Sequence, residues 1–138
     1  MDIREMKLDD YEEAVGLWRQ TEGLVLSEAD SKANIRSFLD RNSGLSAVCV
    51  EGRRVVGTAL CGHDGRRGFL YHVAVSEPYR GKGIAGRMVE HCLEGLRLAG
   101  VTKCHLFTVE NNEIGNRYWS GTGWRRRDGI LLYSRDLL

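Results

Sequence analysis

The stretch that most restricts the fold is a run of seven residues, Arg80-Gly81-Lys82-Gly83-Ile84-Ala85-Gly86, set between an apolar segment and the strongest helical pattern in the chain. The segment before it, Phe69-Leu70-Tyr71-His72-Val73-Ala74-Val75, is apolar at odd and even positions alike. That is the mark of a strand covered on both faces, and it is expected to lie centrally in a sheet. Beyond the glycines, Ile84, Met88, Cys92 and Leu96 fall in one row with Ala85, Val89 and Leu93 beside it, so a helix is expected over 83–99, stopped by Gly100. A short strand is expected next, over 104–109. Two strands joined through one long helix should be parallel neighbours with a right-handed crossover.

The rest of the chain fills in around this unit. Ile3, Met6 and Leu8 suggest a first strand, and Asp9 and Asp10, three residues before Glu12 and Glu13, read as a doubled capping box for a helix carrying Tyr11, Ala14, Val15 and Trp18. Ser31 opens a second helix with Ile35, Phe38 and Leu39 on one face and Gly44 as its end. Runs over 47–50 and 55–60 flank the polar turn Glu51-Gly52-Arg53-Arg54 and form an antiparallel hairpin. A helix over 112–120 and two last strands, over 124–127 and 130–134 around Asp128-Gly129, complete the order. The expected fold class is α/β with a mixed sheet, in the order β-α-α-β-β-β-α-β-α-β-β, as one domain over 1–138.

Composition narrows the function classes. With 42% hydrophobic and 28% charged residues the chain is globular in character, and 138 residues suit one core. Twenty Lys and Arg against nineteen Asp and Glu leave a formal charge of +1, too little to hold a nucleic acid by field alone. No stretch approaches the ~18 apolar residues of a membrane span and the first ten residues carry no apolar signal region, so a cytoplasmic protein is expected. Cysteines at 49, 61, 92 and 104 show no Cys-x-x-Cys spacing and no flanking His at metal-ligand spacing, which favours reduced core thiols over a metal site.

The chemistry lies at residues 80–86. There the free N–H groups and the positive end of a helix dipole converge on one spot, an anion site in kind. Glycines at 81, 83 and 86 remove the Cβ atoms that would keep a phosphate from the amides, and Arg80 and Lys82 add countercharge, so two adjacent phosphates fit. The same letters satisfy Gly-x-Gly-x-x-Gly. A dinucleotide fold nevertheless fails on context: Ser76-Glu77-Pro78-Tyr79-Arg80 separate strand from first glycine, and Lys103-Cys104-His105 stand where an acidic ribose ligand belongs. A Walker A loop fails because Gly83, not Ser or Thr, follows Gly81-Lys82.

The segment Val73-Ala74-Val75-Ser76-Glu77-Pro78-Tyr79-Arg80-Gly81-Lys82-Gly83-Ile84-Ala85 resembles the signature of the GNAT N-acetyltransferase family, Arg/Gln-x-x-Gly-x-Gly/Ala after a strand. The family's second block, Asn-x-x-Ala-x-x-aromatic-aromatic-x-x-x-Gly-aromatic, aligns without gaps to the stretch from Asn112 to Trp124, with Gly115 where Ala is usual. The resemblance spans essentially the whole chain and is nearest to small bacterial acetyltransferases of the YpeA or RimI kind.

The resemblance implies acetyl-coenzyme A as co-substrate, with no metal. Its pyrophosphate would rest on the amides of Gly81, Lys82, Gly83, Ile84, Ala85 and Gly86 with help from the Arg80 and Lys82 side chains. It implies that the two parallel strands splay, so that the pantetheine arm bonds the backbone of Val73, Ala74 and Val75 like an added strand, with Asn112, Tyr118 and Trp119 along the cofactor as well. Acetyl transfer would run by direct attack of a neutral primary amine, from a small molecule or a peptide, with the oxyanion facing a backbone N–H near Val73. His72 and Glu110 are both candidates for the base that takes the amine proton. Where the family commonly holds a tyrosine that protonates the leaving sulfur this chain has Trp119, whose indole N–H is a donor and not a useful acid. Tyr118, one residue earlier, is the candidate acid, with solvent as the alternative. A second reading of the same cleft is a catalytically weak acyl-CoA-binding or sensing protein. Exposed sheet edges leave room for a homodimer.

Overall fold

The computed structural model describes all residues from Met1 to Leu138. The polar break at Glu51 to Arg54 resolves into a two-residue turn, Gly52-Arg53, between β2 (Ala47–Glu51) and β3 (Arg54–His63). Gly52 takes φ +62° there, a conformation that matches the twist of the flanking strands. Before this hairpin come β1 (Asp2–Glu5), α1 (Tyr11–Arg19) and α2 (Lys32–Arg41); after it come β4 (Gly68–Val75), α3 (Ile84–Leu98), β5 (Cys104–Leu106) and α4 (Glu113–Gly121). The five strands form one sheet in the order β1-β2-β3-β4-β5, antiparallel except for the parallel β4–β5 pair. No helix is long and apolar enough to cross a membrane.

The expected capping box of α1 does not form. Asp10 instead accepts the Lys7 N–H at 2.8 Å and two hydrogen bonds from Arg4, at 2.8 and 2.9 Å, while Glu13 accepts the Val55 N–H at 3.3 Å. Asp10 closes the short turn before α1 and pairs with Arg4, because a buried carboxylate gains more from a guanidinium than from the amide of a later cap. The first strand also stops short, at Glu5.

The chain gathers into two compact units, Met1–Phe107 and Thr108–Leu138. In the first, α3 packs on one face of the sheet against β2, β3 and β4, while α1 packs against β3 and β4 from the other side. The α1 side is a single cluster of Met6, Ala14, Val15, Leu17, Trp18, Ile35, Val48, Val55, Leu60 and Ala74. The middle of the sheet belongs to β3, whose residues are buried from Val55 to Gly62, and not to β4 as its apolar run suggests. β4 lies one strand from the edge, with Gly68, Leu70 and Ala74 buried and Tyr71 exposed.

In the second unit, α4 starts at an Asn112 cap, and no strand follows it. The two strands expected over 124–127 and 130–134 are therefore absent. Ile130, Leu131, Leu132 and Tyr133 are exposed, and Arg126 bonds Asp128 across the turn at 2.9 Å. A lone two-stranded hairpin with one uncovered apolar face is marginal in water, so alternation in the sequence does not suffice to form it.

Candidate functional site

Two features of β4 shape the site. First, its pairing with β5 covers only Gly68, Phe69 and Leu70, opposite Cys104, His105 and Leu106. From Tyr71 onward the β5 side of β4 is unpaired, which is the expected splay of the parallel strands. The Ser76 N–H bonds Val56 O at 2.8 Å, and by the period of two Ala74 also bonds toward β3. The N–H and C=O groups of Val73 and Val75 therefore face the open edge. Val75 is not wholly free, because its carbonyl accepts the Arg80 Nε–H at 2.9 Å.

Second, β4 carries a bulge. Thr58 pairs with Ala74 and Leu60 with Tyr71, so Ala59 alone faces His72 and Val73. His72 adopts φ +50°, and no other residue apart from glycines has a positive φ. In a regular strand Tyr71 and His72 would point to opposite faces. Here Tyr71 meets Phe38 of α2 edge-on at 6.1 Å, and His72 meets Trp18 of α1 at 4.7 Å, so both lie on the α1 and α2 side.

His72 is held at three points. Its Nε2 lies 2.7 Å from Asp30 Oδ1, Trp18 packs on its ring, and its carbonyl accepts the Thr58 hydroxyl at 2.8 Å. Thr58 is itself tied to the core, accepting the indole N–H of fully buried Trp18 at 2.8 Å. A left-handed conformation at a residue other than glycine costs roughly 1–3 kcal/mol and persists only where its surroundings enforce it, which these anchors do.

The glycine turn behaves as its letters suggest. Gly81 and Gly83 both take φ +77°, and Gly83 is the N-cap of α3 without supplying a side chain to cap it. No acidic residue occupies the first turn of α3, and the N–H groups of residues 81–86 make no hydrogen bond within the chain. Six unpartnered amides at the positive end of a 15-residue helix fit a diphosphate. Around them Ile84 is buried, Ala85 half-buried and Gly86 exposed, while the Lys82 ammonium sits 5.5 Å from the Tyr79 ring centre.

The second unit holds the remaining expected residues. Asn112 Oδ1 accepts the Gly115 N–H at 3.1 Å, so Asn112 is the helix cap and Glu110 is not. A Cβ on residue 115 would come within 2.5 Å of Asn112 Nδ2, which gives a physical reason for Gly115 where the family has Ala. Glu110 is exposed and contributes its backbone carbonyl to Asn116 at 3.0 Å. Tyr118 and Trp119 meet edge-on at 4.9 Å and Trp119 meets Trp124 edge-on at 5.3 Å, forming an edge-to-face aromatic cluster. Burial pushes the Tyr118 hydroxyl above the ordinary phenol range.

The cysteines are all free thiols. The Cys61 thiol is pushed up by its hydrogen bond with Cys92 and by burial, Cys49 by burial, and Cys104 to about 12 by burial and the neighbouring Cys61. These three are protonated at neutral pH and poor nucleophiles.

Sequence reasoning singles out His72 but not the residues it contacts, Asp30, Thr58 and Trp18. Ser27 and Asp30 form a capping box in which Asp30 Oδ2 accepts the Ser27 N–H at 3.1 Å, a local feature of the turn. Nothing local tells that the other oxygen serves a histidine 42 residues away.

A family model described as Acetyltransferase (GNAT) family matches residues 3–124. An acetyltransferase of Sodalis glossinidius (strain morsitans) is 29% identical over 138 residues, spanning 100% of this chain and 96% of its own length. Among solved structures, the aminoglycoside N-acetyltransferase AAC(6')-Iy in complex with the bisubstrate analogue CoA-S-monomethyl-acetylneamine superposes with a TM-score of 0.76 at 19% identity, covering 98% of this chain and 97% of that one. The PaiA N-acetyltransferase of Thermoplasma acidophilum in complex with coenzyme A reaches 0.80 at 16% identity, covering 94% and 92%. Likeness at such identities speaks for the fold, and the family match takes in both the glycine turn and the Asn112 block. The chain belongs to the GNAT acetyltransferase family.

Proposed function

We propose that this acetyltransferase uses acetyl-coenzyme A to acetylate a primary amine by direct attack of the neutral amine on the thioester. The observation that carries the reading is the run of six unpartnered amides over 81–86, set just beyond the open edge of β4. The diphosphate of the co-substrate is assigned to those amides with Arg80 and Lys82, and its amide-bearing arm to the N–H and C=O of Val73 and the N–H of Val75. Asn112 and the Tyr118-Trp119 pair are assigned to the same molecule on the strength of the family pattern. AAC(6')-Iy, whose bound analogue joins coenzyme A to acetylneamine, supports an amine acceptor in this fold.

The co-substrate supplies an activated acetyl carbonyl, and the chain supplies the environment. A lysine-like amine is mostly protonated near neutrality, its pKa being ~10.4, so a base must take its proton. His72 is the better of the two candidates, because its ring is oriented by packing and a hydrogen bond whereas Glu110 is a solvated side chain. The N–C bond forms as the C–S bond breaks. The Val73 N–H, pointing to the open edge, is the donor for the oxygen that gains charge. The departing thiolate takes a proton from Tyr118 or from solvent. With Cys49, Cys61 and Cys104 protonated, the chain offers no thiolate among them for an acyl-enzyme.

Release of free thiol from acetyl-coenzyme A against a panel of small amines and peptide N-termini tests the reading, alongside thermal shifts with acetyl-coenzyme A, coenzyme A and NAD. Saturating coenzyme A at 100 times its Kd should stabilise the fold by about 2.7 kcal/mol, and NAD should not. Tight coenzyme A binding with no turnover on any amine would hand the site to the sensing alternative, which the aromatic packing of Trp119 in the usual tyrosine position motivates.

A further inference from the structure

We infer that Asp30 is a positioning residue for His72. Its carboxylate holds the neutral imidazole in the tautomer with the proton on Nε2, which leaves Nδ1 as the nitrogen that takes the proton from the acceptor amine. The inference rests on the reading of His72 as the base and says which atom acts and what selects it.

The geometry leads there in steps. The Asp30 Oδ1 to His72 Nε2 distance is 2.7 Å, and the two side chains are only 12% and 17% exposed. A carboxylate has no proton to donate, so the bridging hydrogen belongs to the imidazole and sits on Nε2. Nδ1 makes no hydrogen bond within the chain, so the lone pair of the neutral ring lies on the nitrogen without a protein partner. The carboxylate cannot swing away cheaply: its other oxygen accepts the Ser27 N–H, and the Asp30 backbone carbonyl accepts the Tyr11 hydroxyl at 2.7 Å, which ties the turn to α1. Trp18 packs against the ring with centroids 4.7 Å apart, and the Thr58 hydroxyl holds the carbonyl of the bulged residue. Ring plane, tautomer and backbone are each set by a different group. A φ of +50° at a residue other than glycine is costly, and backbone strain of this kind clusters where a side chain has to be aimed.

The tautomer can be read directly. Histidine nitrogens in uniformly 15N-labelled full-length protein distinguish protonated from unprotonated ring nitrogens, and the His72 signals are those lost in His72→Gln. In the neutral form, Nε2 protonated and Nδ1 bare is the expected result. In Asp30→Asn the tautomer preference should weaken and kcat fall about 100-fold, the lower end of what a positioned base contributes, with KM for acetyl-coenzyme A within about twofold. Asp30→Glu, which keeps the carboxylate, should recover part of kcat and the Nε2-protonated signal. Equal thermal stability of the three proteins separates positioning from loss of fold. A proton on Nδ1 in the native enzyme, or an Asp30→Asn enzyme with unchanged kcat and unchanged tautomer, overturns the inference. Failure of the parent reading looks different: His72→Gln would then retain full turnover whatever the tautomer shows.

Discussion

Gly83 takes φ +77° with open space where a Cβ would be, so a side chain there meets no neighbour and suffers only backbone strain. For an L-residue the left-handed region costs roughly 1–2 kcal/mol, and the strain is relieved by turning the amides of α3 away from their common focus. Gly83→Ala should weaken coenzyme A about tenfold by isothermal titration, equivalent to about 1.4 kcal/mol, with little change in the far-UV spectrum. Thr58 is a different case, since it links two buried groups. Thr58→Val leaves the Trp18 N–H without an acceptor and the His72 carbonyl without its donor, and urea denaturation should register a loss of about 1–3 kcal/mol. Tyr118 offers a third measurement. Its phenol, pushed up by burial, is a weaker acid than the thiol it would have to make, so proton transfer from it runs uphill. Tyr118→Phe is expected to stay within about threefold of wild-type kcat at every pH, and a 100-fold loss would make the hydroxyl the acid. All three residues stand in the sequence plainly enough, but only Gly83 announces its role there, because a helix start after alternating glycines is a local matter.

Elements show the same division more sharply. The β2–β3 hairpin and α3 were legible because their signals are complete within a few residues: the polar turn Glu51-Gly52-Arg53-Arg54 between apolar runs, and a row of Ile84, Met88, Cys92 and Leu96. The bulge in β4 was not, because it is a mismatch of register between β3 and β4, and no period within residues 68–75 encodes it. The absent C-terminal strands make the converse point, since alternation is necessary for a strand but pairing is what stabilises one. How closely α3 lies on the sheet is set by glycine. A Cβ on Gly68 would stand 2.5 Å from Leu96 Cδ1, and Leu96 is 2% exposed. Gly68→Ala should therefore destabilise the protein by about 1–3 kcal/mol in chemical denaturation. Combined with Leu96→Ala it should cost clearly less than the two changes summed, since the second removes the atoms the first collides with.

For the molecule as a whole, the pairing of Asp10 with Arg4 couples stability to acid. Burial works against the Asp10 charge, but hydrogen bonds from Arg4 and the Lys7 N–H, with the charges of both residues, outweigh it and hold the carboxyl below the ordinary aspartate range. A folded-state pKa lower than the unfolded one contributes stability above the unfolded value and loses it as pH falls through the folded value. Thermal midpoints followed downward from neutrality should fall steeply below the ordinary aspartate range. Asp10→Asn should start lower at neutral pH and fall less steeply, and parallel curves for the two proteins would assign the acid limb to other carboxylates.

The sequence by itself determined the glycine turn, the crossover helix behind it and the family, because each depends on neighbours along the chain: backbone freedom at glycine, a helical period, a motif read in order. Only the tertiary structure decided that β4 slips by one residue, that His72 thereby shares a face with Tyr71, and that Asp30 meets it from 42 positions away. Those are contacts between segments whose relative register is set by packing, and packing is a property of the assembled core that no short stretch of residues contains.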